Sequence, residues 1–186
     1  MDVCALLSPS EVLDLAVLGM TSERARTAAE VAAAVKHVGA ARFQPTTDVT
    51  VGRVVALAEA GLLSSAPSAP TGELVWRPSP AGQAHMERLL LMPSGSPANA
   101  LAAVCAYLKL CFLELLQPTA REAVVEDLVA AHRRALGEAQ AALAGCRCRC
   151  GLAQRLLARD VERWEAELCW LEGLASECAT APRARL

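Results

Sequence analysis

The 186 residues suffice for one large domain or two small ones. Hydrophobic residues make up 54% of the chain and aromatics only 3%, so the core is expected to be Ala, Leu and Val in closely approaching helices. A formal net charge of −2 excludes a general electrostatic pull toward nucleic acid, and Met1-Asp2-Val3-Cys4 lacks the basic start of a signal peptide.

The first element opens at Ser8-Pro9-Ser10-Glu11, a capping box with Pro at the first helical position, and is expected to end near Gly19. Thr27-Ala28-Ala29-Glu30 is a second capping box, opening an Ala-rich helix to about Val38. After a loop from Gly39 to Pro45, Val51, Val54, Val55, Leu57 and Ala58 mark one face of a third helix over Thr47 to Ala60. Gly61 follows as its left-handed cap. Leu62-Leu63 and Leu74-Val75-Trp76 read as two short strands joined by a loop over Ala66 to Gly72. Ser79-Pro80 caps a further helix to about Leu91. The order helix, helix, helix, strand, strand, helix predicts a winged helix-turn-helix domain over residues 1–92, the third helix placed to enter a DNA groove and the hairpin serving as its wing.

Met92-Pro93-Ser94-Gly95-Ser96-Pro97 leads through a linker, 93–97, into an almost purely helical part, 98–178, with a disordered tail expected at 179–186. One helix is expected from Ala98 to Leu116, where Pro118 stops it. Its apolar stretch, Leu101 to Leu116, carries Lys109 and Glu114 and is too short for a membrane span, so a cytoplasmic location with no membrane partner is expected. There the eight cysteines would be thiols. A third capping box, Thr119-Ala120-Arg121-Glu122, opens a helix to about Ala144 with a seam of Val125, Leu128, His132, Ala135, Ala139 and Ala142. The last helix, Leu152 to Glu177, carries Leu157, Val161, Trp164, Leu168, Leu171 and Ala175 at coiled-coil spacing. The two form an antiparallel hairpin whose uncovered apolar surface predicts a homodimer, with Leu157, Val161, Trp164, Leu168 and Leu171 as dimerisation residues. The fold class is therefore mainly α: a winged helix with one β-hairpin, then an antiparallel helical dimerisation domain.

The sequence resembles the PadR family of bacterial transcriptional regulators over nearly its whole length. Leu57-Ala58-Glu59-Ala60-Gly61-Leu62-Leu63 is similar to the family's approach to the wing, and Val75-Trp76-Arg77-Pro78-Ser79-Pro80-Ala81-Gly82 to the segment that leaves it. Leu108 to Pro118 and Leu168-Cys169-Trp170-Leu171-Glu172-Gly173-Leu174 are similar to its C-terminal helices. The resemblance implies a dimeric repressor that binds a near-palindromic double-stranded DNA operator and is released by a small molecule, in several members an aromatic acid or drug-like compound.

The departures matter. The family's recognition-helix tyrosine aligns with Val51, and the loop Ala66 to Gly72 has no Lys or Arg. Residues 1–92 hold seven Lys or Arg against nine Asp or Glu, so binding to phosphates calls for a local patch. Its candidates are Arg24, Arg26, Lys36, Arg42 and Arg53, with Gln44, Thr47 and Thr50 as neutral hydrogen-bonding groups. Arg53 is expected on the outer face of its helix. Tyr107, Cys111, Phe112 and Trp164 could line an effector pocket, Tyr107, Cys111 and Phe112 otherwise packing on the winged helix and Trp164 in the dimer core. A second function class is a sensor or protein-interaction module that keeps the scaffold and has lost tight DNA binding.

Cys146, Cys148 and Cys150 alternate with Arg147 and Arg149 at the turn between the long helices. Three thiols could hold a soft metal or answer to redox state, but the paired spacing of a structural zinc site is missing, so no metal or other cofactor is expected. His37, His85 and His132 are isolated from nucleophiles, and there is no Gly-rich phosphate loop, so an enzyme is not expected.

Overall fold

A computed structural model describes residues 7–39, 42–69, 72–147 and 150–180. Seven helices and one hairpin follow in the order α1 (Pro9–Glu23), α2 (Ala28–Gly39), α3 (Thr47–Glu59), β1 (Leu63–Pro67), β2 (Leu74–Pro78), α4 (Pro80–Leu91), α5 (Ala100–Cys111), α6 (Pro118–Gly145) and α7 (Gly151–Thr180). The chain is thus mainly helical around one two-stranded antiparallel sheet, as expected. No helix among the described residues is long and apolar enough to cross a membrane.

Both early capping boxes form. The Ser8 backbone N–H donates to Glu11 at 2.9 Å while the Glu11 N–H donates to the Ser8 hydroxyl. Thr27 and Glu30 exchange the same pair of bonds. The third box does not form: the cap of α6 lies two residues earlier, at Gln117, with no side-chain bond and Pro118 at the first helical position. Pro118 supplies the backbone angle a helix start needs, so the cap moves ahead of it.

Gly19 does not end α1, which runs to Glu23. Its role is close approach: a β-carbon built there would lie 2.5 Å from the Phe112 ring. Gly61, in contrast, is a true left-handed cap (φ +72°), letting the Leu62 N–H return to the Leu57 carbonyl at 2.8 Å. β1 reaches Pro67, inside the expected loop, and pairs with β2 so that Leu63 faces Pro78 and Ser65 faces Trp76. A third piece joins this edge: Arg26, between α1 and α2, exchanges backbone bonds with Trp76 at 2.8 and 3.3 Å.

The core of the winged helix is α1, whose Val12 to Thr21 are all buried, with Val31, Val35, Val54, Leu57, Met86, Leu89 and Leu90 around it. The expected helix 98–116 is shorter: α5 ends at Cys111 and continues as a 3-10 turn, Leu113–Leu115. Phe112, 1% exposed, turns into the core against Gly19, which couples this turn to α1.

A buried lysine joins the two parts. Lys109 on α5 donates to the Met92 carbonyl and, at 3.1 Å, to the Ser94 hydroxyl, and Ser94 N–H donates to Asp127 of α6 at 2.7 Å. Burial pushes the Lys109 amine below its ordinary value, with Asp127 opposing. α6 and α7 pack antiparallel, burying Val125, Leu128, His132 and Ala135 against Trp164 and Leu171. α7 continues to Thr180, so residues 179 and 180 of the expected tail are helical, and residues 181–186 lie outside the described residues.

Candidate functional site

The start of α3 carries a small polar cluster. Thr46 caps the helix by accepting from the Val49 N–H, and Lys36 Nζ donates to Thr47 Oγ1 at 2.9 Å. Gln44 Nε2 donates to the Lys36 carbonyl at 3.1 Å. One amine, one hydroxyl and one amide therefore meet at a helix N-terminus, where backbone N–H groups already favour an anion. The solvent-facing row of α3 is different: Asp48, Val49, Gly52, Val55 and Glu59 are exposed, with no Lys or Arg among them.

Of the remaining candidates for DNA contact, all but Arg24 are engaged elsewhere. Arg53 does not lie free on the outer face. Its guanidinium forks onto the carboxylate of Asp14 in α1, Nη2 to Oδ2 at 2.6 Å and Nε to Oδ1. Thr50 is fully buried and donates to the Thr46 carbonyl. Arg26 donates to the Met20 carbonyl and to Glu23, both at 2.8 Å, tying off the end of α1. Arg24 is exposed and sits 3.9 Å from Glu30. Arg42 turns the other way, its guanidinium 5.1 Å from the centre of the Tyr107 ring.

That contact opens a second feature, a cleft of about 680 Å³ between the loop before α3, helix α5 and the α6–α7 hairpin. Arg42, Tyr107, Leu110, Cys111, His132, Arg163, Trp164, Glu167 and Trp170 are among its walls. Arg163 stacks on Trp164 at 4.2 Å, and the His132 ring meets Trp164 edge-on at 5.8 Å. The Leu128 carbonyl accepts from His132 Nδ1 at 2.8 Å, which fixes the tautomer and turns Nε2 toward the Glu167 carboxylate at 3.5 Å. The cleft is thus an aromatic floor under two guanidinium groups and one carboxylate, a lining suited to a planar molecule.

Three of the four expected pocket residues, Tyr107, Cys111 and Trp164, line this cleft, and Phe112 does not. Phe112 follows Cys111 directly, but the chain leaves helical geometry there and its ring packs against Gly19. Sequence reasoning missed Arg163, Glu167 and Trp170 as walls because they lie off the apolar seam of α7. It placed Arg42 on DNA because a charge in the approach to a third helix carries no sign of which way it turns.

The expected dimerisation row is partly used inside the chain. Trp164 and Leu171 are buried against α6, and Leu157, Val161 and Leu168 are half-buried. A different face of α7 exposes Leu152 at 65%, Leu156 and Trp170 at 59%, with the exposed Arg159 and Arg163 between them. It lies about a third of a turn from the buried seam.

At the α6–α7 turn Cys146 is half-buried and Cys150 exposed, and backbone N–H groups of Ala153 and Leu152 hold the Cys150 thiol below its usual range. Cys148 and Arg149 of the expected three-thiol cluster lie outside the described residues. Among the described residues no group of three or more His, Cys, Asp or Glu side chains is placed to hold a metal ion.

Residues 3–175 match the family described as "Putative AphA-like transcriptional regulator". Among curated proteins none matches the chain. Among solved structures it is similar to Bacillus subtilis PadR in complex with operator DNA, at 14% identity, with 90% of this chain and 99% of that one covered and a TM-score of 0.43. The same protein in complex with p-coumaric acid is similar at 14% identity, 93% and 98% coverage and a TM-score of 0.39.

Proposed function

From the premise that the chain belongs to the AphA-like transcriptional regulators, a PadR-like family, we propose that it is a dimeric repressor that holds double-stranded DNA through paired winged helices and lets go when a small aromatic effector fills the cleft. The observation that carries this reading is Arg42, which belongs at once to the loop entering α3 and to the wall of the cleft. An occupant that displaces Arg42 from Tyr107 pulls on the start of α3. Two half-sites on a duplex lie about 34 Å apart, so moving both third helices by a few ångströms weakens binding without unfolding anything.

Lys36, Gln44 and Thr47 are the proposed phosphate or base-edge contacts, with Arg24 at the flank. The proposed dimer contact is the exposed pair Leu152 and Leu156, beside Leu157, Val161 and Leu168 of the seam, which α6 leaves half-buried. Light scattering at micromolar concentration is expected to give two copies; a monomer contradicts this. Fluorescence anisotropy on a duplex from upstream of its own gene is expected to show affinity falling with salt, and Lys36→Ala to reduce the log–log slope by about 1 per subunit. An aromatic acid that quenches Trp164 and Trp170 and also frees the duplex supports the switch; quenching with undisturbed DNA binding refutes it.

The second reading is a sensor or protein-interaction module. Its support is the outer row of α3, two carboxylates and two valines without a cation. Absence of duplex binding at low salt selects this reading over the first.

A further inference from the structure

We propose that Asp14 and Arg53 are a positioning pair that sets the third helix on the first, and that Arg53 is thereby withheld from the DNA backbone. The proposal rests on the DNA-binding reading above and assigns it a residue that never touches DNA. Arg53 is the single basic residue between Thr47 and Glu59. A surface role would make it the natural phosphate contact of that helix.

The geometry points elsewhere. Both nitrogens that Arg53 presents to α1 meet Asp14, one on each carboxylate oxygen. The Asp14 side chain is 4% exposed, in the stretch of α1 that is buried throughout, and the Arg53 side chain is 31% exposed. His85 of α4 brings Nε2 to 3.8 Å from Asp14 Oδ2, and that nitrogen is buried without a hydrogen-bond partner among the described residues. Three helices of the winged helix therefore converge on one buried carboxylate, and Arg53 carries its compensating charge. Arg53 is correspondingly held in its charged form, chiefly by the Asp14 hydrogen bonds. Swinging the guanidinium out to a phosphate would strand Asp14 in the core, where an unpaired carboxylate is strongly disfavoured. A two-pronged contact also fixes rotation as well as distance, which a lysine amine at the same place cannot do. What Arg53 supplies is then the angle at which α3 presents Thr47 to Lys36 and to the duplex.

Charge and fork can be separated by experiment. Full-length wild type, Arg53→Lys, Arg53→Gln, Asp14→Asn and the double variant Asp14→Asn/Arg53→Gln are compared by circular dichroism melting. Anisotropy is read on a fluorescein-labelled 30-base-pair duplex from about 50 to 300 mM KCl, at a temperature where each protein is folded. Arg53→Lys keeps the charge and loses the fork. It is expected to weaken binding by about tenfold or more at every salt concentration with the salt slope unchanged, and to lower Tm by more than about 4 °C. Asp14→Asn, remote from DNA, is expected to do the same, and the double variant to be no worse than the more damaging single one, because both changes remove one contact. The proposal is overturned if Arg53→Lys binds like wild type while Arg53→Gln flattens the slope by about 0.9 per subunit, the signature of a lost phosphate contact. Should Asp14→Asn fail to fold, the Arg53→Lys and Arg53→Gln pair still separates these two outcomes. If wild type binds no duplex, the DNA-binding reading fails on its own account, and the melting cycle still tests the pair: additive losses in Tm sink it.

Discussion

Gly19 and Phe112 lock the winged helix to the helical part, and the lock has a calculable sign. A methyl group at residue 19 would sit 2.5 to 2.6 Å from three ring carbons of Phe112. Carbon atoms prefer about 3.5–4.0 Å, so the ring must retreat by about 1 Å into a packed core. Overpacking of that kind costs about 1–3 kcal/mol, offset by about 1 kcal/mol from the better helix propensity of Ala in α1. Gly19→Ala is thus expected to destabilise the protein by about 0–2 kcal/mol. Phe112→Ala removes a ring that is 1% exposed and is expected to cost about 3–5 kcal/mol. With the ring gone the methyl has space, so Gly19→Ala in the Phe112→Ala background is expected to stabilise by about 1 kcal/mol. Urea unfolding of the four proteins, followed by far-ultraviolet circular dichroism, measures the cycle, with Phe112→Leu as a milder background. Additive effects would show that the ring and the glycine are not in contact and that α5 is not docked on α1 in this way.

Gly82→Ala places a β-carbon 1.9 Å from the Leu62 backbone oxygen, where no side chain can give way. It is expected to cost about 3 kcal/mol and to lower Tm, whereas Gly52→Ala, with open space around it, is expected to stabilise α3 by about 1 kcal/mol. Lys109→Met should change the pH dependence of stability. Between the depressed value in the folded protein and the ordinary 10.5 of the unfolded chain, the unfolded state holds more protons on Lys109, so its contribution rises with pH. The wild-type urea midpoint should therefore gain on that of Lys109→Met between pH 7.5 and 10 (about the usable range below that value), and parallel curves would contradict the buried charge. Ser8→Ala removes the α1 capping box at a cost of about 1 kcal/mol. Glu11 is held below its usual value, chiefly by the Ser8 backbone bond, so its contribution is present above the unfolded value of 4.5 and lost as pH falls through the folded one. Ser8→Ala keeps that backbone bond and loses only the hydroxyl's bond to Glu11, so its difference from wild type should shrink only slightly on acidification, while both proteins share the larger acid loss.

Local chemistry wrote much of the architecture directly into the chain. Ser8 with Glu11, Thr27 with Glu30, Gly61 as a left-handed cap and Ser79 before Pro80 each act within a few residues, so borders at α1, α2, α3 and α4 could be read without any fold. The order of helices around one hairpin, and the fold class with it, followed from those borders and from apolar spacing. Where the sequence misled, the deciding partner was distant along the chain. Gly19 looked like a stop signal and is a contact surface for a ring 93 positions later. Arg53 looked like a free cation and answers a carboxylate 39 positions earlier. Arg42 and Phe112 each had two directions open to them, and only the packing of α5 against the winged helix chose between them. The seam of α7 was visible as a pattern, but which of its residues α6 covers was not: Trp164 and Leu171 are buried, while Leu157, Val161 and Leu168 stay half-buried. Composition and periodicity act through neighbours a turn away; charge pairing, ring packing and the walls of a cleft act through space, and those were decided only when the chain closed on itself.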